Sequence, residues 1–142
     1  MEKVAILVDS RGGHTRKMAA AIADELGVSI GDINKPVPEA EVLFLGSGMY
    51  GTGPGLLMNR LIRNGTFSGR KVALFATASY PGDGEKMLAA MAEALEKKGA
   101  AILGTGGIRG RVILVRYRNP RPEDLAETRT WAREIVLQGD RG

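Results

Sequence analysis

The sequence of 142 residues contains no cysteine, which excludes disulfide bonds, thiolate metal sites, iron–sulfur clusters and cysteine nucleophiles. It contains a single histidine, His14, so a histidine-based metal site or a Ser–His catalytic pair would be hard to build. No apolar run approaches the roughly 18 residues that a membrane-spanning helix requires. The apolar run at residues 4–8 is too short for a signal peptide, and we therefore expect a cytoplasmic protein.

Length and composition indicate one globular domain that spans residues 1–142. A chain of this size buries about 68–70% of its unfolded surface, which is enough for a core that needs no disulfide or metal. Apolar residues make up 44% of the sequence and charged residues 25%, so neither intrinsic disorder nor a fibrous repeat is expected.

Positive charge is concentrated in the second half of the sequence. Residues 1–69 contain 7 basic and 7 acidic side chains, whereas residues 70–142 contain 13 basic and 9 acidic ones, and the net charge is +4. Five arginines lie close together in the second half: Arg109, Arg111, Arg116, Arg118 and Arg121. Such a cluster is typical of a solvated surface strip, of a docking face for an acidic partner, or of a nucleic-acid contact.

Strand patterns alternate with helix patterns along the chain. Short apolar runs predict buried strands at residues 4–8, 28–33, 42–45, 72–76 and 101–103. Helical spacing of apolar residues predicts helices at residues 15–26, 56–63 and 85–98, and a last helix from Pro122 to near Gly139. Residues 112–115 either extend the fifth strand or form an edge strand. This order predicts a doubly wound α/β fold with a five-stranded parallel sheet.

Ligands of such a sheet bind where the carboxyl ends of the strands meet. The candidate site is therefore formed by the loops that follow the first, third and fourth strands. These loops are residues 9–15, 46–55 and 77–84.

The first loop has the residue types of a phosphate site. It leads into a helix, whose first N–H groups lack partners within the helix and can hold an anion. Ser10 and Thr15 supply hydroxyl groups, and Arg11 adds positive charge. Gly12 and Gly13 let the backbone approach a ligand closely. A plain helix cap with a flexible turn is the alternative interpretation.

The second and third loops each carry a tyrosine. Met49 and Tyr50, on the glycine-rich second loop, are suited to stacking on a flat ring, and Tyr80 approaches from the third loop. Alternatively, Tyr50 covers the edge of the core, and the third loop is a Pro–Gly turn in which Asp83 caps the next helix. A phosphate loop together with aromatic residues that approach a flat ring from opposite sides predicts FMN, which carries such a ring and a phosphate on a short tail.

The motifs in these loops resemble those of the flavodoxin family. The resemblance covers essentially the whole chain. It rests on Ser10-x-Gly12-Gly13-His14-Thr15 in the phosphate loop, Gly46-Ser47-x-x-Tyr50-Gly51 and Gly82-Asp83-Gly84-x-x-Met87 on the two flavin faces, and Pro122-Glu123-Asp124-Leu125 with Trp131-Ala132 in the closing helix. It implies a short-chain, flavodoxin-like protein with strand order 2-1-3-4-5, FMN as cofactor, and electron transport as function.

The cofactor-binding residues that these loops and the resemblance imply are Ser10, Arg11, Gly12, Gly13, His14, Thr15, Ser47, Gly48, Met49, Tyr50, Gly51, Thr77, Ala78, Ser79, Tyr80, Gly82 and Asp83. We assign no catalytic residue and no metal-binding residue. The chain departs from the family in three ways. It is basic, whereas family members are usually acidic; a threonine of the phosphate loop is replaced by Gly12; and the aromatic residue expected before Gly82 is Pro81.

We therefore expect an FMN-binding electron carrier, a monomer or weak dimer, whose redox partner presents an acidic face. A small FMN-dependent reductase or oxidase, of the quinone reductase or protoporphyrinogen oxidase type, is the alternative. Nucleic-acid binding is disfavoured because only Tyr117 is interleaved with the arginines. A response regulator is excluded because Asp9 lacks an acidic cluster and Gly46-Ser47 follows the third strand. No membrane interaction is expected.

Overall fold

The computed structural model describes residues 2–50, 53–77, 81–103 and 120–141. Strands and helices alternate as the sequence predicts. In chain order they are β1 (Glu2–Asp9), α1 (His14–Leu26), β2 (Ala40–Tyr50), β3 (Gly53–Pro54), α2 (Leu56–Asn64), β4 (Lys71–Thr77), α3 (Pro81–Lys97), β5 (Ala101–Ile102) and α4 (Pro122–Arg141). Residues 112–115 and four of the five clustered arginines lie outside the described residues.

The sheet has the order β1-β2-β4-β5, with all neighbours on this path parallel. Pairing is continuous through the centre, where Phe44 of β2 lies opposite Ile6 of β1 and Ala73 of β4. The predicted α/β fold with a parallel sheet is therefore confirmed. The remaining strand of the sheet, β3, pairs antiparallel with the end of β2.

Residues 28–33, predicted as the second strand, form only a single parallel bridge between Ile30 and Ile6. The bridge is held by the Gly31 N–H, which donates to the Ile6 carbonyl at 2.8 Å. Ser29, Gly31 and Asp32 have weak strand propensity, which explains why pairing stops there. The bridge lies on the free side of β1, where the predicted order 2-1-3-4-5 places this segment.

The predicted boundary between strand and loop at residue 45 is wrong, because β2 continues to Tyr50 and turns back as β3. Residues 46–48 pair with β1 on one side and β4 on the other, so this glycine-rich segment is central sheet rather than loop. A side chain at Gly46 would overlap the ring of Phe75 on β4. Glycine is therefore required here for close packing within the sheet.

Two helix ends also differ from the prediction. Helix α3 begins at Pro81, four residues before the predicted start, because proline fits the first turn of a helix and Asp83 complements its positive end. Helix α4 continues past Gly139, since that residue is buried against Val42 and its carbonyl accepts a hydrogen bond from Lys71 Nζ at 2.7 Å.

Hydrophobic layers cover both faces of the sheet. Leu43 and Leu45 of β2 face the layer under α2 and α3, and Phe44 between them faces the layer under α1 and α4. In that second layer the ring of Trp131 packs edge-on against Phe44 with 5.7 Å between centroids. The two layers make a doubly wound core, which fixes the carboxyl ends of β1, β2 and β4 at one edge. Among the described residues, no helix has the length and apolarity needed to cross a membrane.

Candidate functional site

The carboxyl ends of three strands bring the predicted loops together. Asp9 at the end of β1 lies opposite Ser47 of β2, and Gly48 lies opposite Thr77 at the end of β4. The hydroxyl groups of Thr15 and Thr77 are hydrogen-bonded at 2.7 Å, and both residues are buried. This bond ties the first turn of α1 to the start of the third loop.

The first loop ends in a helix start that has no side-chain cap. Gly13 occupies the N-cap position with φ 83°, a left-handed conformation that favours glycine. Neither a capping side chain nor an acidic residue is present in the first turn of α1. Gly13 thus supplies no capping oxygen, and the first N–H groups of α1 carry the partial positive charge of a helix start.

Tyr50 packs against the first loop. Its hydroxyl oxygen accepts a hydrogen bond from the Arg11 N–H at 2.6 Å, and the Arg11 guanidinium lies 4.3 Å from the centre of its ring. A side chain at Gly48 would come within 2.8 Å of the same hydroxyl, so glycine makes room for this arrangement. The end of β2 thus places the half-buried aromatic ring of Tyr50 beside the candidate phosphate loop.

The remaining predicted residues have different surroundings. Met49 packs against the core layer under α2 and α3 rather than beside Tyr50. The Ser47 hydroxyl is buried, accepts the Gly55 N–H at 2.9 Å and donates to the Gly48 carbonyl at 2.7 Å, so it holds the base of the β2–β3 hairpin. Of the other predicted residues, Ser10 and Gly12 lie between β1 and α1, His14 begins α1, and Gly82 and Asp83 lie in the first turn of α3. Gly51, Ala78, Ser79 and Tyr80 lie outside the described residues.

Asp9 is an anchor of the site that the sequence analysis did not assign. Its buried carboxylate accepts the Met58 N–H of α2 at 3.0 Å, and a side chain at Gly55 would overlap it. The carboxylate thereby caps a helix whose own N-cap residue, Gly55, has no side chain. Two features of the sequence indicate this capping role: an acidic residue at the end of a strand, and a helix that is preceded by glycine.

Arg121 is the one clustered arginine within the described residues. Its guanidinium pairs with Asp124 at 3.2 Å and with Glu123 at 3.5 Å, at the start of α4. Burial raises the pKa of the Asp124 carboxyl. The hydrogen bonds and the positive charge of Arg121 together lower that pKa by more than burial raises it, so its net shift is downward. Arg121 therefore stabilises a helix start. In the described part of the chain, no group of acidic or histidine side chains could hold a metal ion.

The fold was compared with solved structures. A flavodoxin from the domain Archaea superposes with a TM-score of 0.73 at 18% identity, covering 97% of this chain and 99% of that one. Flavodoxin 2 from Bacillus cereus gives a TM-score of 0.74 at 18% identity, covering 96% and 99%. The rubredoxin oxygen:oxidoreductase of Desulfovibrio gigas gives 0.75 at 17% identity, covering 99% of this chain but 37% of that one.

Sequence comparisons add no closer relative, since no protein-family model and no curated protein matches the chain. The structural similarity, however, extends over nearly all of the chain and nearly all of both flavodoxins. On this similarity and on the parallel, doubly wound sheet, the protein has the flavodoxin-like fold.

Proposed function

We propose that the protein binds FMN at the carboxyl edge of the sheet and carries electrons between redox partner proteins. The observation that carries the proposal is the uncapped amino terminus of α1, with the aromatic ring of Tyr50 packed on the loop that precedes it. The flavodoxin-like fold supports the same cofactor, because FMN is what the resemblance to that family implies.

The first loop fits a phosphate group. The N–H groups in the first turn of α1, which no side chain caps among the described residues, and the neighbouring Arg11 and Arg16 are all suited to an anion. A side chain at Gly12 would meet no described residue within 4 Å, so the described part of the site leaves space at that position. Thr15 can accept a hydrogen bond from Thr77 and still donate its own hydrogen, because a hydroxyl group both donates and accepts.

Other side chains of the protein would cover the flavin ring or hold the loops in position. Tyr50 would cover one face of the flavin ring and Tyr80 the other. Because the Tyr50 hydroxyl engages the Arg11 N–H, this tyrosine must release that group before a phosphate can use it. The Thr15–Thr77 bond and the contact of Asp9 with α2 hold the loops in position. FMN, when bound, supplies the acceptance and release of electrons one or two at a time.

Calorimetric titration with FMN and with riboflavin, which lacks the phosphate, tests the proposal. A single charge-assisted hydrogen bond contributes about 1.5–3 kcal/mol. We therefore expect FMN to bind at least about tenfold more tightly than riboflavin, since 1.4 kcal/mol corresponds to a factor of ten. Equal affinities would show that the first loop does not hold a phosphate.

A small FMN-dependent reductase or oxidase is the second candidate. It is favoured by the similarity to the oxygen:oxidoreductase from Desulfovibrio gigas, in which this fold accounts for about a third of a longer chain. An enzyme should turn over a quinone or oxygen repeatedly with a reduced nicotinamide donor. A carrier should instead exchange electrons quickly with a reduced protein and slowly with small molecules.

A further inference from the structure

Two adjoining cavities form a trough along one side of the site. The first, about 500 Å³, lies between the candidate phosphate loop and residues 30–34. The second, about 420 Å³, lies between residues 33–37 and α2. Both are lined by Ile33, Asn34 and Leu57, so the two cavities adjoin, and we call them together the basic trough.

Positive side chains dominate the basic trough. It is lined by four of them: Arg11, Arg16, Lys35 and Arg60. Two carboxylates also line it. That of Asp9 is buried and accepts the Met58 N–H, and Asp32 accepts the Asn34 N–H at 2.9 Å. The trough therefore carries an excess of positive charge next to the proposed cofactor site.

None of the four cations of the trough forms an ion pair within the described ranges, although Arg11 lies over the ring of Tyr50. By contrast, Arg129 and Arg133 of α4 pair with Asp24 and Glu25 of α1 at 2.7 and 2.6 Å. Positive charge on α4 is thus used within the fold. In the trough, Arg11 and Arg16 belong to the proposed phosphate site, and the charge of Lys35 and Arg60 is available to a partner.

The sequence around the trough accentuates this charge. No aspartate or glutamate occurs in residues 10–23, which contain the phosphate loop and most of α1, or in residues 42–82, which contain all of α2. The first two turns of α1 and the whole of α2 therefore carry basic residues and no acidic residue. Such a surface attracts negatively charged partners and accelerates their association.

An exposed apolar residue adjoins the same surface. Leu56, the first residue of α2, is 63% exposed, and Arg60 follows it one helical turn later. Apolar contact beside arginine is the composition of a protein–protein interface. Single-stranded nucleic acid would instead call for several stacking aromatics along the groove, and none of the described residues that line the trough is aromatic.

We infer that the basic trough and Leu56 together form the docking surface for an acidic segment of a partner protein. Under the proposed function that partner is a redox protein, and for the partner's redox role this inference rests on the FMN proposal. The acidic character of the partner follows from the charge of the trough alone. The surface lies beside the flavin site. Its four cations come from the first half of the sequence and do not belong to the arginine cluster of the second half.

Charge reversal in the trough tests the inference with a matched control. The probe is a fluorescently labelled glutamate decapeptide, and its binding to the flavin-free protein is followed by anisotropy at low salt. We expect Lys35→Glu and Arg60→Glu each to weaken binding at least about fivefold. Lys97→Glu changes the net charge equally, on an exposed side chain of α3 that pairs with Glu93, and should weaken binding less than about twofold.

Two results would overturn the inference. One is equal weakening by all three variants, which would mean that only the overall charge matters. The other is tighter binding of a single-stranded oligonucleotide of equal charge than of the peptide, which would assign the trough to nucleic acid. FMN titration of the same variants is a separate readout. If FMN bound to none of them, the proposed cofactor would be contradicted, whereas the result with the peptide would be unchanged.

Discussion

The hydrogen bond between Thr15 and Thr77 offers a direct test of how the site is held together. The two hydroxyl oxygens lie 2.7 Å apart, the residues are 1% and 7% exposed, and 62 positions separate them in the chain. Replacing either threonine with valine removes one hydroxyl group and leaves the other buried without this partner. Replacing both removes both polar groups from the interior.

The expected energies follow from this geometry. A buried polar group left unsatisfied costs about 1–3 kcal/mol, whereas replacing both partners with apolar groups of the same shape can be nearly neutral. We therefore expect Thr15→Val and Thr77→Val each to lower the free energy of unfolding by about 1–2 kcal/mol. The double variant should lose less than the sum of the two, by about 1–3 kcal/mol.

Urea denaturation of the four proteins measures these differences, provided that the slope of the transition is unchanged. The reasoning is refuted if the losses of the two single variants simply add in the double variant. FMN titration of the same set has a separate expected outcome. Thr15→Val should weaken FMN binding more than Thr77→Val does, because only Thr15 is proposed to donate to the phosphate.

Three further predictions concern single residues. Tyr50→Ala should weaken FMN binding in calorimetry by about 1–3 kcal/mol, because a stacking ring is lost. Tyr50→Phe should bind FMN at least as tightly as the wild type, because the ring stays and the Arg11 N–H is released from the Tyr50 hydroxyl. Asp9→Ala should lower the unfolding free energy by about 0.5–2 kcal/mol through the lost cap of α2, and Asp9→Asn should lose less in the same urea assay. Gly46→Ala should cost about 1–3 kcal/mol by overpacking against Phe75, while Gly12→Ala, which faces open space, should leave stability nearly unchanged.

Much of the fold could be predicted because the buried strands are short continuous apolar runs. Residues 4–8 and 72–76 are typical of strands that are buried on both faces of a parallel sheet, and the helices between them carry clear apolar stripes. The predicted β1 and β4 differ from those in the structure only at their ends. Convergence of the three loops at one edge then follows from the right-handed crossovers of such a sheet.

What the sequence could not predict depends on contacts between distant residues. Glycine usually breaks a strand, so residues 46–48 were expected to form a loop; that they continue β2 depends on Phe75, whose ring fills the space above Gly46. Met49 beside Tyr50 suggested a stacking pair, but alternation along a strand sends neighbouring side chains to opposite faces. The anchoring role of Asp9 depends on the start of α2, 49 positions away.

The most direct test of the central claim is whether FMN travels with the protein. The purified protein is mixed with excess FMN and separated by size-exclusion chromatography, while visible absorbance and flavin fluorescence are recorded across the protein peak. We expect flavin absorbance in that peak at close to one FMN per chain, with the fluorescence strongly quenched by the stacked tyrosine. Elution of all the FMN at the position of the free flavin would contradict the account.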